Sequence, residues 1–144
     1  MTLIGVDYGD ARTGIAVSPE GVCSVPYKTV DSSNGRKKTA ALIASIAAEK
    51  GAGVIVVGYP LNMDGSKGKR VVVTEKFAKA LKEALSELSY EAQIVFSDER
   101  LTSKEAESML RNAGRFNPEK GISDQLAAQL ILQDYIDSTK MKGC

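Results

Sequence analysis

Three carboxylates, Asp7, Glu99 and Asp124, stand in local contexts that each aim an acid at one place. Asp7 follows the apolar run Leu3-Ile4-Gly5-Val6 and precedes Tyr8-Gly9. Glu99 belongs to Ser97-Asp98-Glu99-Arg100, directly after Ile94-Val95-Phe96. Asp124 opens the helical stretch Ser123–Ala128. Acids from two strand ends and a helix start can meet only through the fold. Together they repel strongly unless divalent cations neutralise them. A hard cation such as Mg²⁺ on oxygen ligands is the usual solution, and its usual work is phosphodiester or phosphoryl chemistry. The chain contains no histidine. That excludes Ser-His-Asp and Cys-His machinery and His-ligated zinc, and leaves a carboxylate, a lysine, a tyrosine or a metal-activated water as the general base.

Each acid also has a local explanation. Asp7 can cap a turn through nearby backbone amides. Asp98-Glu99-Arg100 can be a solvated charge cluster ahead of a helix cap. Strand alternation puts Asp98 and Glu99 on opposite sides of the chain, so only one of them reaches a common centre. Asp124 can simply meet the positive end of a helix dipole, worth ~0.3–1 kcal/mol. The dipole accounts for an acid there but not for its alignment. On a helix Asp124 shares a face with Ala127, Ala128, Ile131 and Tyr135, the side that packs on a sheet.

The elements that must position these acids follow from periodicity. Residues 2–8 read as a strand, with Leu3, Gly5 and Asp7 on one face and Ile4, Val6 and Tyr8 on the other. Gly5 would leave room for a metal or phosphate beside Asp7, and Gly9 permits a turn next to it. Residues 9–14 are the turn, and Ile15–Ser18 completes a hairpin. Val22–Val30 reads as a third strand, irregular at Pro26. From Arg36 the spacing becomes helical, with Leu42, Ile43, Ile46 and Ala47 inward and Gly51 ending the run. Val54–Val57 is a fully apolar strand buried on both faces. A polar loop follows from Tyr59 to Gly68. Phe77, Leu81, Leu85 and Leu88 stripe a second helix, and Gln93–Ser97 reads as another buried strand. Thr102 and Glu105 fit a capping box for a helix to about Ala113. A last helix runs from near Ser123 to about Thr139. The order βββαβαβα implies an α/β fold, a mixed five-stranded sheet with helices on both faces.

Composition sets the frame. The 144 residues predict one domain over 1–139, with a short tail at 140–144. The net charge is +1, so any nucleic-acid site must be a local patch. No apolar run reaches the ~20 residues of a membrane span, no secretory signal is visible, and Cys23 and Cys144 lack metal-type spacing. A reduced, cytoplasmic setting is expected. The 59–68 loop leaves a central strand at the edge where sites collect in such sheets. Its amides, Asn62 and Ser66, followed by Lys67, Lys69 and Arg70, suit a phosphate backbone. Arg12, Arg100, Arg111 and Arg115 would extend a basic rim around the acids; the same residues also read as ordinary solvated charges.

Four segments occur in order: Gly5-Val6-Asp7-Tyr8-Gly9-Asp10-Ala11-Arg12-Thr13-Gly14-Ile15-Ala16, then Val57-Gly58-Tyr59-Pro60-Leu61-Asn62-Met63-Asp64-Gly65-Ser66, then Asp98-Glu99-Arg100-Leu101-Thr102-Ser103, then Asp124-Gln125-Leu126-Ala127-Ala128. Together they resemble the YqgF/RuvX family of RNase H-like nucleases, whose members carry the labels Holliday junction resolvase and pre-16S rRNA nuclease. Tyr59 and Ser103 are mild departures from its pattern. The resemblance covers nearly the whole chain and implies an RNase H-like domain. It implies Asp7, Glu99 and Asp124 as catalytic and metal-ligating acids, with Asp98 as a lesser candidate, and a two-metal Mg²⁺ or Mn²⁺ site for in-line displacement. Gly9, Arg12, Asn62, Ser66, Lys67, Arg70 and Arg100 would contact nucleic acid. The activity so implied is endonuclease cleavage of structured nucleic acid. Maturation of the 5′ end of precursor 16S ribosomal RNA, within ribosomal precursor particles, is preferred over resolution of four-way DNA. A monomer or weak homodimer is expected. Two other classes compete: a nucleotide-using enzyme of the actin and hexokinase type, which needs two such domains to close over its nucleotide, and a non-catalytic binding module, against which three acids in one groove argue.

Overall fold

The computed structural model describes residues 1–62, 64–98 and 122–139. The elements run β1 (Thr2–Asp7), β2 (Arg12–Ser18), β3 (Val25–Asp31), α1 (Arg36–Lys50), β4 (Ala52–Tyr59), α2 (Lys69–Glu87), β5 (Gln93–Asp98) and α3 (Ile122–Ser138). Glu99, Arg100, Arg111, Arg115, the helix expected over 102–113 and the tail at 140–144 lie outside the described residues.

The strands form one sheet in the order β3-β2-β1-β4-β5. The β1–β2–β3 meander is antiparallel, whereas β1, β4 and β5 are mutually parallel. The consequence is positional. The carboxyl ends of β1, β4 and β5 and the start of β2 all reach the same edge, and that edge carries Asp7, Arg12, Tyr59 and Asp98.

Alternation along the strands builds a core on each face. Ile4, Val6, Ile15, Ile55 and Val57 pack with Ile43 and Ala47 of α1 and Phe77 and Leu81 of α2. Leu3, Ala16, Val54 and Val56 pack with Ala128, Ile131, Leu132 and Ile136 of α3. Each fully buried Leu, Ile or Phe contributes about 1.5–3 kcal/mol. The sheet is thus covered on both sides, and among the described residues α3 alone packs on the face on which Asp7 lies.

Several expectations need adjusting. β2 begins at Arg12, three residues earlier than the apolar run suggests, because Arg12 and Thr13 already pair with Asp31 and Val30. β3 starts at Val25, since Ser24 turns to α3 instead. Leu42 is 47% exposed; it sits about 100° round the helix from Ile43 and misses the inward stripe. Leu88 caps α2 and is 48% exposed. β5 is not buried on both faces: Phe96 is 45% exposed, and among the described residues β5 is an edge strand that pairs only with β4. Cys23 is half-buried. No helix among the described residues is long and apolar enough to cross a membrane.

Candidate active site

Two glycines bring the first turns of α3 down onto the hairpin. A Cβ at Gly5 would lie 2.7 Å from the Ala128 carbonyl oxygen and 2.7 Å from Leu132 Cβ. A Cβ at Gly14 would lie 2.0 Å from the Asp124 carbonyl oxygen. The space beside Gly5 is therefore filled by α3, not left open for a metal or phosphate. Gly14 is the direct cross-strand partner of Asp7, and such partners share a face with Cβ positions ~4.5–5.5 Å apart. Asp7 and Asp124, 117 positions apart in the chain, thus both border Gly14, one as its strand partner and the other as the residue seated on it.

A second device fixes the roll of α3. Gln125, Gln129 and Gln133 recur every fourth residue on one side of the helix. Gln125 Nε2 donates to Thr29 Oγ1 (3.1 Å) and Gln129 Nε2 to the Ser24 carbonyl (2.9 Å). Gln133 Oε1 accepts from the Ser24 amide (3.0 Å) and from its hydroxyl (2.9 Å). This ladder ties α3 to the β3 side and turns Asp124 toward the sheet edge.

The Asp124 carboxylate is about three-quarters buried and accepts from Arg12 Nε at 2.8 Å through Oδ2. Arg12 starts β2 next to Gly14, so guanidinium and both acids share the edge. The Arg12 guanidinium offsets the charge of Asp124 in this geometry. Alternation carries Asp98 to the other face, beside its partner Tyr59 and with Phe96, so it points away from Asp7. Glu99 follows it, outside the described residues. Among the described residues no three acids, cysteines or histidines form a metal-holding group. Asp7 and Asp124 are nonetheless a fitting donor pair for a hard cation: oxygen ligands on rigid elements, one of them leaving Oδ1 unclaimed by Arg12.

The β1–β2 turn is braced from outside. Arg70, in the first turn of α2, donates to Asp10 Oδ2 (3.0 Å) and to the Tyr8 carbonyl (3.2 Å). The Ser32 hydroxyl donates to the Gly9 carbonyl, and the Gly9 amide donates to Thr13 Oγ1 (3.4 Å). Gly9 and Arg70 are therefore engaged in holding the turn that follows Asp7. Tyr8 stacks on Phe77 with ring centroids 4.2 Å apart. Burial and then the Asp10 charge push its hydroxyl above the ordinary value of 10.0, against the opposing pull of Arg36 and Arg70. A raised folded value means stability that is fully present below pH 10 and is lost as pH rises through it. Tyr8→Phe is expected to flatten that alkaline loss, read as urea unfolding midpoints at pH 9 and pH 11; an unchanged difference between the two pH values would refute the assignment.

The 59–68 loop is ordered by its own side chains. Asp64 Oδ1 accepts from the Ser66 amide (2.9 Å) and hydroxyl (2.6 Å), and Asn62 Nδ2 donates to Ser66 Oγ (3.0 Å). Asn62 and Ser66 shape the loop and bond each other. Lys67 lies over the Tyr59 ring, 5.9 Å from its centroid. Its ammonium is held above the usual lysine range by a hydrogen bond to Tyr59, by the Tyr59 charge and by Glu75, which also accepts from the Tyr59 hydroxyl at 2.9 Å. The loop leaves β4 at the Asp7 edge, as its position in the sequence predicts. Sequence reasoning missed the contributions of Asp10, Gly14, Glu75 and the glutamine ladder. The four-residue spacing of the glutamines was the one legible signal; the others depend on contacts across the fold.

The comparisons agree with this architecture. The family model described as RuvX: Holliday junction resolvase matches residues 1–138. A protein from Ruminiclostridium cellulolyticum named "Putative pre-16S rRNA nuclease" is 38% identical over 139 residues, covering 95% of this chain and 94% of that protein. One of the same name from Chloroflexus aggregans is 38% identical over 143 residues, covering 97% and 96%. Among solved structures, Thermus thermophilus RuvC in complex with Holliday junction substrate superposes with a TM-score of 0.57 at 14% identity, covering 97% of this chain and 96% of that one. At that identity the likeness speaks for the fold, which is RNase H-like.

Proposed function

The chain belongs to the RuvX family, and we propose that it is a metal-dependent endonuclease hydrolysing phosphodiester bonds of structured nucleic acid, with the 5′ end of precursor 16S ribosomal RNA as its substrate. The observation that carries this reading is the seating of Asp124 on Gly14, the cross-strand partner of Asp7. It pairs two acids on rigid elements where a hard cation can be held. Asp98 faces the other way, so Glu99 is the third ligand in this proposal. Bound there, divalent ions would supply activation of the attacking water and stabilisation of the leaving oxygen.

The chain's own residues do the rest. Arg12 orients Asp124 and offsets the crowded negative charge. The 59–68 loop, held in shape by Asn62 and Ser66, presents Lys67 to the phosphate backbone beside the acids. Gly9 and Arg70 keep the turn after Asp7 in place, and Arg100 is assigned to the scissile phosphate. Residues 1–139 act as one nuclease domain, in a monomer or weak homodimer. The substrate sets the location, the cytoplasm, on ribosomal precursor particles.

A second reading, resolution of four-way DNA, is supported by the description of the family model. The two separate in one assay with Mg²⁺ or Mn²⁺, offering a precursor ribosomal RNA end and a four-way DNA junction side by side. Cleavage of the RNA, abolished by EDTA and restored by either ion, is the expected result. Symmetric nicking of the junction with intact RNA would replace the first reading by the second. Cleavage that survives EDTA would end the metal assignment.

A further inference from the structure

We propose that the groove between α1 and α2 is a second docking surface for the phosphate backbone of the same nucleic acid, taking an arm of the substrate away from the cleavage point; this rests on the nucleic-acid reading above. The groove, about 630 Å³, lies between the first turn of α1 and the middle turns of α2. Arg36, Lys37, Lys38, Lys76 and Lys79 line it, with Glu83 as the one acid. A chain of net charge +1 thus gathers five cations around a single concavity.

These cations are unspent. Arg12, Lys67 and Arg70 each have an acid within 4.0 Å, whereas among the described residues none of the five groove cations does. Their placement also runs against helix electrostatics. Neither α1 nor α2 has an acid in its first turn. Instead Arg36, Lys37 and Lys38 crowd the positive end of α1, where cations are disfavoured. Lys76 and Lys79 are like charges three apart on one helix face, which is also unfavourable. Departures from local rules with no compensation inside the fold mark function. An anion filling the groove relieves all of these repulsions together.

The chemistry points to a polyanion. The lining has no aromatic wall, so it suits neither a nucleobase nor a drug-sized ligand. Lysine ammoniums are flexible point charges that take phosphate without reading sequence. The helix that supplies Lys76 and Lys79 to the groove also carries Arg70, which donates to the Tyr8 carbonyl next to Asp7. A substrate arm can pass from the acids along α2 onto the α1–α2 face.

The test uses the full chain carrying Lys37→Glu, Lys76→Glu and Lys79→Glu together, with Lys→Gln at the same positions as a second variant. Glutamate at 37 suits a helix start, so the melting temperature should hold or rise. Binding in EDTA is followed by fluorescence anisotropy across a salt series. The probes are a hairpin-bearing precursor ribosomal RNA fragment, a four-way DNA junction, and a short strand spanning only the cleavage point. The expected result is at least a ~10-fold loss on the preferred long probe, with a shallower salt dependence by about two to three phosphates, and unchanged binding of the short strand. The Lys→Gln variant should show a smaller loss in the same direction. Long-probe binding within twofold of wild type, with an unchanged salt slope, overturns the proposal; an acidic protein partner would then be the better occupant. Groove-dependent binding by a wild-type protein that cleaves nothing would keep this surface while removing the nuclease reading.

Discussion

Asp7→Asn is expected to reduce cleavage by at least ~10³-fold, about 4 kcal/mol of transition-state stabilisation, while moving the melting temperature by no more than a few degrees. Asparagine keeps the shape and one carbonyl oxygen, so the strand pairing of residue 7 with Gly14 survives. What it removes is a negative charge facing Asp124, which lowers the repulsion between the two acids in the absence of metal. Stability should therefore hold or rise as activity falls. Asp124→Asn gives the contrasting case. It weakens the 2.8 Å contact with Arg12, so activity falls and Arg12 is left without its acid. The pair is measured by initial rates under saturating Mg²⁺ and by thermal melts. Asp7→Asn retaining a tenth or more of wild-type activity would show that Asp7 is a structural turn residue and not a ligand.

Some of this was legible in the residues alone, for stateable reasons. Alternation in β1 put Leu3, Gly5 and Asp7 on one face, and the structure keeps them there, under α3. Val54–Val57 reads as a central strand because only a strand covered on both sides can be apolar at every position. The inward alignment of Asp124 with Ala127, Ala128 and Ile131 followed from helical period. What local pattern could not supply was the meaning of the glycines. Gly5 reads as free space from its strand alone, yet the space belongs to a helix more than a hundred residues later. Gly14 reads as a turn residue, yet it is the seat of an acid. Side-chain partnerships were equally hidden. Arg70 looked like one more cation after a loop, and its partners Asp10 and Tyr8 lie sixty residues earlier. The exposure of Phe96 came from strand order, since the same apolar run would be buried in the position of β4.

The charge distribution divides along the same lines. The acids and their counter-charge Arg12 sit on the α3 side of the edge. The unpaired cations sit on the α1–α2 side. A polyanion approaching this molecule meets attraction on one face and, without metal, repulsion at the edge. Metal binding would therefore convert a surface that docks nucleic acid into one that can also bring a phosphate to Asp7. The +1 net charge conceals this because it sums 19 basic and 18 acidic residues over the whole chain.

Gly14→Ala carries the second large effect, and it acts through geometry. The new methyl would sit 2.0 Å from the Asp124 carbonyl oxygen, 2.3 Å from its carbonyl carbon and 2.9 Å from its Cβ. None of these is the end of a flexible side chain, so the start of α3 must rise by more than 1 Å to reach ordinary contact. Gly14 is not among the residues with a left-handed backbone, so the penalty is purely this collision. Overpacking of this kind costs about 1–3 kcal/mol, or a melting temperature lower by roughly 3–12 °C for a domain of this size. Activity should fall further than stability, because a displacement of about 1 Å at a reacting centre costs on the order of 10²-fold. Gly5→Ala is the control. Its methyl strikes Ala128 and Leu132 one and two turns further along α3, so it should destabilise to a similar degree while leaving a larger share of activity at temperatures where both variants are folded. If the two alanines lose activity in proportion to stability alone, the seat at Gly14 does not position Asp124 for chemistry, and the pairing of Asp7 with Asp124 is a packing feature only.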